Sequence, residues 1–158
     1  MGILERQQTR VIDDVTYVVN PLPFGIGNKA LLRFTRVVGA ALASIKTGSS
    51  GVASMGAIVS GLSDDDVDYF AKTFGNASWY LDGEKSVPLV PVNQETHFDG
   101  RYEAFYGWLL LCIEVNFGSF LSRQLRNVGL DVSQVKAAMN SALAPKSGGL
   151  GDSSPTQA

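Results

Sequence analysis

The chain has 158 residues, of which 45% are hydrophobic and 18% are charged, a composition typical of a globular domain. Thirteen basic residues against fifteen acidic ones give a formal net charge of −2, without the basic excess that drives binding to phosphate backbones, so we expect no nucleic acid as partner. Cys112 and His97 are the only cysteine and histidine, which excludes an internal disulfide and a zinc site built from several such ligands. We expect no metal and no cofactor.

The first predicted element is a β-hairpin within residues 9–19. Two short runs rich in Val, Ile and Tyr flank Asp13 and Asp14, whose short acceptor side chains are common in tight turns. Pro21 follows, and because proline cannot donate a ladder hydrogen bond, the hairpin is expected to end before it. Residues 1–8 are expected to form a flexible N-terminus.

An amphipathic helix is predicted over residues 27–46. Its apolar residues recur at helical spacing on one face: Leu31, Phe34, Val38, Leu42 and Ile45. Another face carries Lys29, Arg33 and Arg36 at positions i, i+4 and i+7. Such a stripe usually forms a solvated helix face, and binding to an acidic partner or to acidic lipid stays an alternative. The Gly25-Ile26-Gly27 run predicts a flexible start of the helix rather than a dinucleotide site.

Ser63 is predicted to cap the next helix, because three aspartates follow it at the positive end of the helix dipole. A second short hairpin comes next, with Asp82-Gly83 as its turn and residues 87–92 as its second arm. Pro88 and Pro91 would confine that arm to a sheet edge.

The longest predicted helix runs from Phe98 to Arg126, with His97 at its start. It is apolar on nearly every face between Phe105 and Ile113, which is typical of a helix in the centre of a domain. Its longest fully apolar stretch is far shorter than the roughly 20 residues that a bilayer requires, so no membrane segment is expected.

The predicted fold class is α+β and mostly α-helical. An N-terminal β-hairpin is followed by a compact helical domain with a second short hairpin, and together they form a single domain over residues 9–143 whose last part is an amphipathic stretch at 132–143. Residues 144–158 are rich in Gly, Ser and Pro, which predicts a disordered C-terminal tail or linker.

No catalytic constellation stands out in the sequence. His97 and Asp99 resemble the start of a charge relay, but no Gly-x-Ser-x-Gly turn supplies a nucleophile, and the apolar neighbours of Cys112 favour an inert thiol in the core. We therefore expect a protein that is not an enzyme, with a small enzyme using His97 and Asp99 as the less favoured alternative. The many aromatic and leucine residues are suited to binding other polypeptides.

The sequence resembles the tail assembly chaperones of long-tailed bacteriophages. Residues 8–34, QTRVIDDVTYVVNPLPFGIGNKALLRF, are similar to that family's opening hairpin and the turn into its first helix. Residues 62–74, LSDDDVDYFAKTF, resemble its acidic-start helix, and residues 97–121, HFDGRYEAFYGWLLLCIEVNFGSFL, resemble its long central helix. The resemblance covers most of the chain.

The resemblance implies a protein that binds and solubilises the tape measure protein and recruits tail tube subunits during tail morphogenesis. It also implies a place in the host cell cytoplasm, absence from the mature virion, and a longer, frameshifted form of the chain as a further partner. A linker at the end of the domain suits such an extension. Self-association into a homo-oligomer stays open, and a phage neck or tail-terminator subunit or a membrane-surface protein are the non-enzymatic alternatives.

A tape measure protein is a long amphipathic helix, which an apolar groove between helices can shield from solvent. We expect this groove beside the longest helix, with two arginines at its rim. The expected partner-binding residues are Phe105, Trp108, Phe117, Phe120, Arg33 and Arg36. For Trp108, packing in the domain's own core is favoured over partner binding because its neighbours are apolar all round.

Overall fold

The computed structural model describes residues 6–46 and 62–127. Within these ranges the chain is mostly helical and contains both predicted hairpins. In chain order the elements are β1 (Gln8–Ile12), β2 (Val15–Val19), α1 (Phe24–Lys46), α2 (Asp64–Gly75), β3 (Ser78–Asp82), β4 (Lys85–Pro88), α3 (Pro91–His97) and α4 (Tyr102–Asn127). The predicted stretch 132–143 and the predicted tail 144–158 lie outside the described residues and stay predictions.

The two hairpins form one four-stranded antiparallel sheet in the order β1-β2-β3-β4. Strands β2 and β3 join them, with Tyr17 opposite Tyr80 and Val18 opposite Trp79. Because successive side chains of a strand point to opposite faces, Tyr17 and Tyr80 face the helices, whereas Val18 and Trp79 lie on the other face. The sequence predicted each hairpin but not the pairing that joins them.

Both turns use residues that tolerate a positive φ. Asp13 and Asp14 have φ values of 49° and 60°, and positive φ at both central residues is the pattern of a type I′ turn. The second turn lies at Gly83 and Glu84, with Gly83 at φ 61°, because the residue before it, Asp82, is still paired in the ladder. The predicted Asp82-Gly83 turn was therefore wrong by one residue.

Helices α1 and α2 start in different ways. The Gly27 N–H donates to the Pro23 carbonyl at 2.8 Å, so the Gly25-Ile26-Gly27 run belongs to the first turn of α1, which begins at Phe24, three residues before the predicted start at Gly27. The start of α2 agrees with the sequence: the Ser63 hydroxyl accepts from the Asp66 N–H, and the Asp66 carboxylate accepts from the Ser63 N–H. This reciprocal pair is a capping box.

Two prolines shape the end of the sheet. Strand β4 is an edge strand, as expected, but it ends at Pro88, and Pro91 starts the short helix α3. Proline fits the first helical position, where its missing N–H would have no helical partner. The predicted arm over residues 87–92 therefore started two residues too late and ended four residues too late.

His97 ends a helix instead of starting one. It is the last residue of α3, and Gly100, with φ at 68°, separates α3 from α4. Helix α4 begins at Tyr102, so the predicted start at Phe98 was four residues too early. The sequence shows no polar cap before Tyr102 that marks this boundary.

Helix α4 lies across the sheet and contributes much of the core. Its Gly107 lies so close to β1 that an added Cβ would meet Ile12 Cγ2 at 3.0 Å. By length and composition alone, the segment Tyr102–Gln124 could cross a membrane, although the core helix of a soluble protein meets the same criterion. Leu111 and Cys112 of this helix are fully buried, which agrees with the predicted central position.

Candidate partner-binding surface

The predicted site residues of α4 fall into buried and exposed sets. Trp108 is fully buried, with its ring centroid 5.5 Å from that of Phe98 and 5.8 Å from that of Phe105. Phe105 is partly buried and packs against the core. Both rings therefore hold α4 to the segment that follows α3, and Trp108 offers no surface to a partner.

Phe117 is buried and Phe120 is exposed, although they lie only about one turn apart on α4. Phe117 is 3% exposed, and its ring stacks on Phe34 of α1 at a centroid distance of 5.7 Å and lies 6.0 Å from Phe74 of α2. It joins three helices. Phe120 is 37% exposed. Of the four aromatic residues, Phe120 is the one that a partner can reach most easily, and its binding role stays a prediction.

The predicted rim arginines also have different surroundings. The Arg33 Nε donates to Asp66 Oδ1 at 2.6 Å, and its guanidinium lies 4.4 Å from the centroid of the Tyr69 ring. The hydrogen bond from Arg33, followed by those from Ser63, lowers the pKa of Asp66. Arg36 is exposed. The basic stripe of the sequence is therefore divided: Arg33 joins α1 to α2, and Arg36 faces solvent.

The outward face of α1 exposes apolar side chains that the sequence reading missed. Phe24 is 87% exposed and Leu32 is 54% exposed. Lys29 and Arg36 are exposed on the same side of the helix. The sequence did contain a signal for this surface. Leu32 is a large apolar residue that does not fall on the predicted apolar stripe facing the core, so it has to lie on another face of α1.

The outer face of the sheet is a second open surface. Its side chains follow from the strand register and are Thr9, Val11, Thr16, Val18, Trp79, Leu81, Ser86 and Pro88. None of these strand residues is charged, and Val11 and Leu81 are among the exposed apolar residues. An uncharged face with exposed apolar side chains is unusual for the solvated side of an antiparallel sheet.

His97 is directed into the fold, where it contacts Tyr17 and Tyr80. Its Nε2 lies 2.8 Å from the Tyr17 hydroxyl, and its ring stacks on that of Tyr80 with centroids 3.8 Å apart. Burial and, secondarily, the positive charge of Arg101 lower the pKa of His97. Asp99 is exposed in the turn that follows. This arrangement has the features of a packed structural histidine.

Cys112 occupies an equally structural position. The thiol is fully buried, and burial raises its pKa well above the usual range. Its Sγ lies 3.6 Å from the Ser78 hydroxyl. Within residues 6–46 and 62–127, no group of three or more His, Cys, Asp or Glu side chains could hold a metal ion.

Comparison with known proteins gives one match. The model of a family described as "Phage tail assembly chaperone protein, TAC" matches residues 13–129, which is most of the chain. The matched range extends from the turn of the first hairpin to just past the end of α4, so it includes strands β2, β3 and β4 and all four described helices, whereas β1 precedes it. No curated protein and no solved structure matches.

Proposed function

Because this chain belongs to the phage tail assembly chaperone family, we propose that it binds the tape measure protein, keeps it soluble and recruits tail tube subunits to it. The family implies partners among the proteins of the tail and suggests a role other than catalysis. The match over residues 13–129 is the observation that carries the proposal.

The physical basis is the shielding of an apolar helix by an apolar surface. A long amphipathic helix without a partner exposes its apolar side to other chains and aggregates. The chaperone has exposed large apolar side chains on α1 and α4, among them Phe24, Leu32 and Phe120, which suit contact with such a helix. Transient binding of this kind agrees with action in the host cytoplasm and absence from the finished virion, which are also part of the proposal.

Two further partners belong to the proposal. A longer, frameshifted form of the chain would carry the same body with an added domain, so that one molecule could hold the tape measure protein and a tube subunit together at high effective concentration. A homo-oligomer would place several copies of the folded domain along one tape measure helix.

Co-expression with the tape measure protein tests the function. We expect the tape measure protein to be insoluble alone, soluble with the chaperone, and co-purified with it, and we expect added tube subunits to join the complex. A tape measure protein that stays insoluble and does not co-purify would contradict the proposal. A closed ring of this chain in purified virions would instead favour a neck or terminator subunit.

A further inference from the structure

One line of residues on α1 faces solvent and has the spacing of a helix-packing surface. Gly25, Leu32 and Gly39 are seven residues apart, and seven residues of an α-helix come within about 20° of two full turns. These three residues therefore form an almost straight line along α1. All three are exposed, and Leu32 is 54% exposed. With Lys29 and Arg36 beside them, we call these five residues the outward ridge.

The shape of the outward ridge allows close approach. A Cβ added to Gly25 or to Gly39 meets no other atom within 4 Å, so the backbone at these positions is open to solvent. Leu32 projects between them. Because the distance between packed helices depends on the side chains at the contact, a second helix can lie close to the glycines and seat Leu32 between its own side chains. Phe24 adds apolar area at one end of the ridge.

The charges of the ridge indicate the chemistry of that second helix. Lys29 and Arg36 are two turns apart, about 10 Å along the axis, and both are exposed. Among the described residues, neither forms a salt bridge, whereas Arg33 is bound to Asp66 on the side facing α2. The ridge therefore combines an apolar centre with two exposed cations. Acidic side chains at matching spacing on a partner helix would complement it.

The same charges argue against a second copy of this chain as the occupant. If two ridges paired in antiparallel fashion about Leu32, Lys29 of each copy would lie near Arg36 of the other. If they paired in parallel, each cation would lie near its own equivalent. Like charges across a helix pair are destabilising, so neither arrangement is favoured.

We propose that the outward ridge of α1 docks an amphipathic helix whose apolar seam is flanked by acidic side chains. This proposal rests on the proposed function, because the tape measure protein is the partner that supplies long amphipathic helices. It specifies which surface of the chaperone binds and which segments of the client are bound, namely those with acidic flanks. Leu32 supplies apolar contact, and Lys29 and Arg36 select the segment and its register.

Synthetic helical peptides test the charge selection directly. Two peptides share one apolar seam and carry either Glu or Lys at the flanking positions, and their binding to the full chain is measured by fluorescence anisotropy. We expect the Glu-flanked peptide to bind and its affinity to fall as salt is added, and the Lys-flanked peptide to bind much more weakly. Equal binding of both peptides would overturn the proposal.

Charge reversal on the chaperone should reverse this preference. The double variant Lys29→Glu/Arg36→Glu is expected to bind the Glu-flanked peptide at least about tenfold more weakly and to prefer the Lys-flanked peptide, since both attractions become repulsions. The matched control, Lys72→Glu/Lys85→Glu, changes two exposed lysines elsewhere and should leave binding unchanged. If both double variants behave alike, the ridge does not select the partner.

The apolar contribution needs its own pair of variants. Leu32→Glu should abolish peptide binding while the thermal unfolding curve stays close to that of the wild type, because Leu32 lies outside the core. Val92→Glu is the control, since Val92 is also exposed but belongs to α3. Binding that survives Leu32→Glu in a folded protein would place the docking surface elsewhere.

The remaining outcomes separate this proposal from the proposed function. If the tape measure protein co-purifies equally well with wild type, Leu32→Glu and the charge-reversed variant, the chaperone function holds and the ridge proposal fails. If the Glu-flanked peptide binds as expected but the tape measure protein never co-purifies, the ridge proposal holds and the function fails. A stable dimer that Leu32→Glu converts to a monomer, or binding to phosphatidylglycerol vesicles without peptide binding, would overturn the ridge proposal in favour of those occupants.

Discussion

The Tyr17 hydroxyl of β2 and the His97 Nε2 at the end of α3 lie 2.8 Å apart, although 80 positions separate them in the chain. Tyr17 is fully buried, and its ring also stacks on Phe98. The contact connects the sheet to the segment that leads into α4. At this partly buried position, burial and, secondarily, the charge of Arg101 lower the pKa of His97 and so disfavour protonation of its imidazole.

Stability should therefore fall in mild acid. The folded protein lowers the pKa of His97 from its ordinary value of 6.5, so between the two pKa values the unfolded chain binds more protons. The free energy of unfolding is expected to decrease as pH falls below the ordinary histidine pKa of 6.5, while most carboxylates are still ionised. Urea unfolding at a series of pH values measures this. His97→Gln, which keeps a hydrogen-bonding side chain, should flatten the profile, and a wild-type profile that is already flat would contradict the buried neutral imidazole.

The capping box of α2 should be measurable as stability. Ser63→Ala removes the hydroxyl that accepts from the Asp66 N–H, and loss of such a cap costs about 1 kcal/mol. Ser86→Ala, at an exposed position of β4, is the control and should change the free energy of unfolding by less than about 0.5 kcal/mol. Chemical denaturation of the two variants gives the comparison. Equal effects would mean that the cap contributes nothing.

Phe117 and Phe120 should respond very differently to truncation. Phe117→Ala removes a ring that α1, α2 and α4 share and is expected to cost about 3–5 kcal/mol, which a domain of this size barely tolerates. Phe120→Ala should cost about 1 kcal/mol or less, since that side chain is already partly in solvent. Unfolding midpoints of the two variants, measured under the same conditions, test this difference in stability. A small effect of Phe117→Ala would contradict its place in the core.

Gly75 is the position where a methyl group should do most harm. A Cβ there would collide with the Leu89 carbonyl and the Gln94 side-chain amide, which donates to that carbonyl and to the carbonyl of Ala71. Gly75→Ala is expected to destabilise the protein by about 1–3 kcal/mol through overpacking. Gly39→Ala, where the space is open, should be neutral or stabilising by up to about 1 kcal/mol, because alanine is the better helix former. Thermal unfolding of the two variants tests this contrast. Similar changes in melting temperature for both variants would refute it.

The sequence predicted local features well and long-range ones poorly. Asp13-Asp14 and Ser63 have turn and cap preferences that act within a few residues, and both were read correctly. The pairing of Tyr17 with Tyr80 depends on a contact between distant segments, which periodicity cannot reveal. Boundaries near proline and glycine were shifted by a few residues, since Pro91 can end a strand or begin a helix.

For the candidate surface, too, the sequence predicted local features but not the contacts between distant segments. Periodicity correctly placed Leu31, Phe34 and Val38 on the core side of α1, but it could not show that Asp66 neutralises Arg33 while Arg36 stays exposed. Nor could it separate Phe117 from Phe120, because both are large apolar residues near the end of one long helix. Which of them is buried depends on where α1 and α2 lie against α4.

Because α4 comes late in the chain, its position sets the order in which the domain can fold during translation. A nascent polypeptide that has left the ribosome only as far as β4 can pair its strands, but Trp108, Leu111 and Cys112 are still in the exit tunnel or not yet made. Tyr17 and Val19 then lack the part of the core that α4 supplies. Stable folding must wait until α4 emerges, and until then the apolar face of the nascent sheet is incompletely covered.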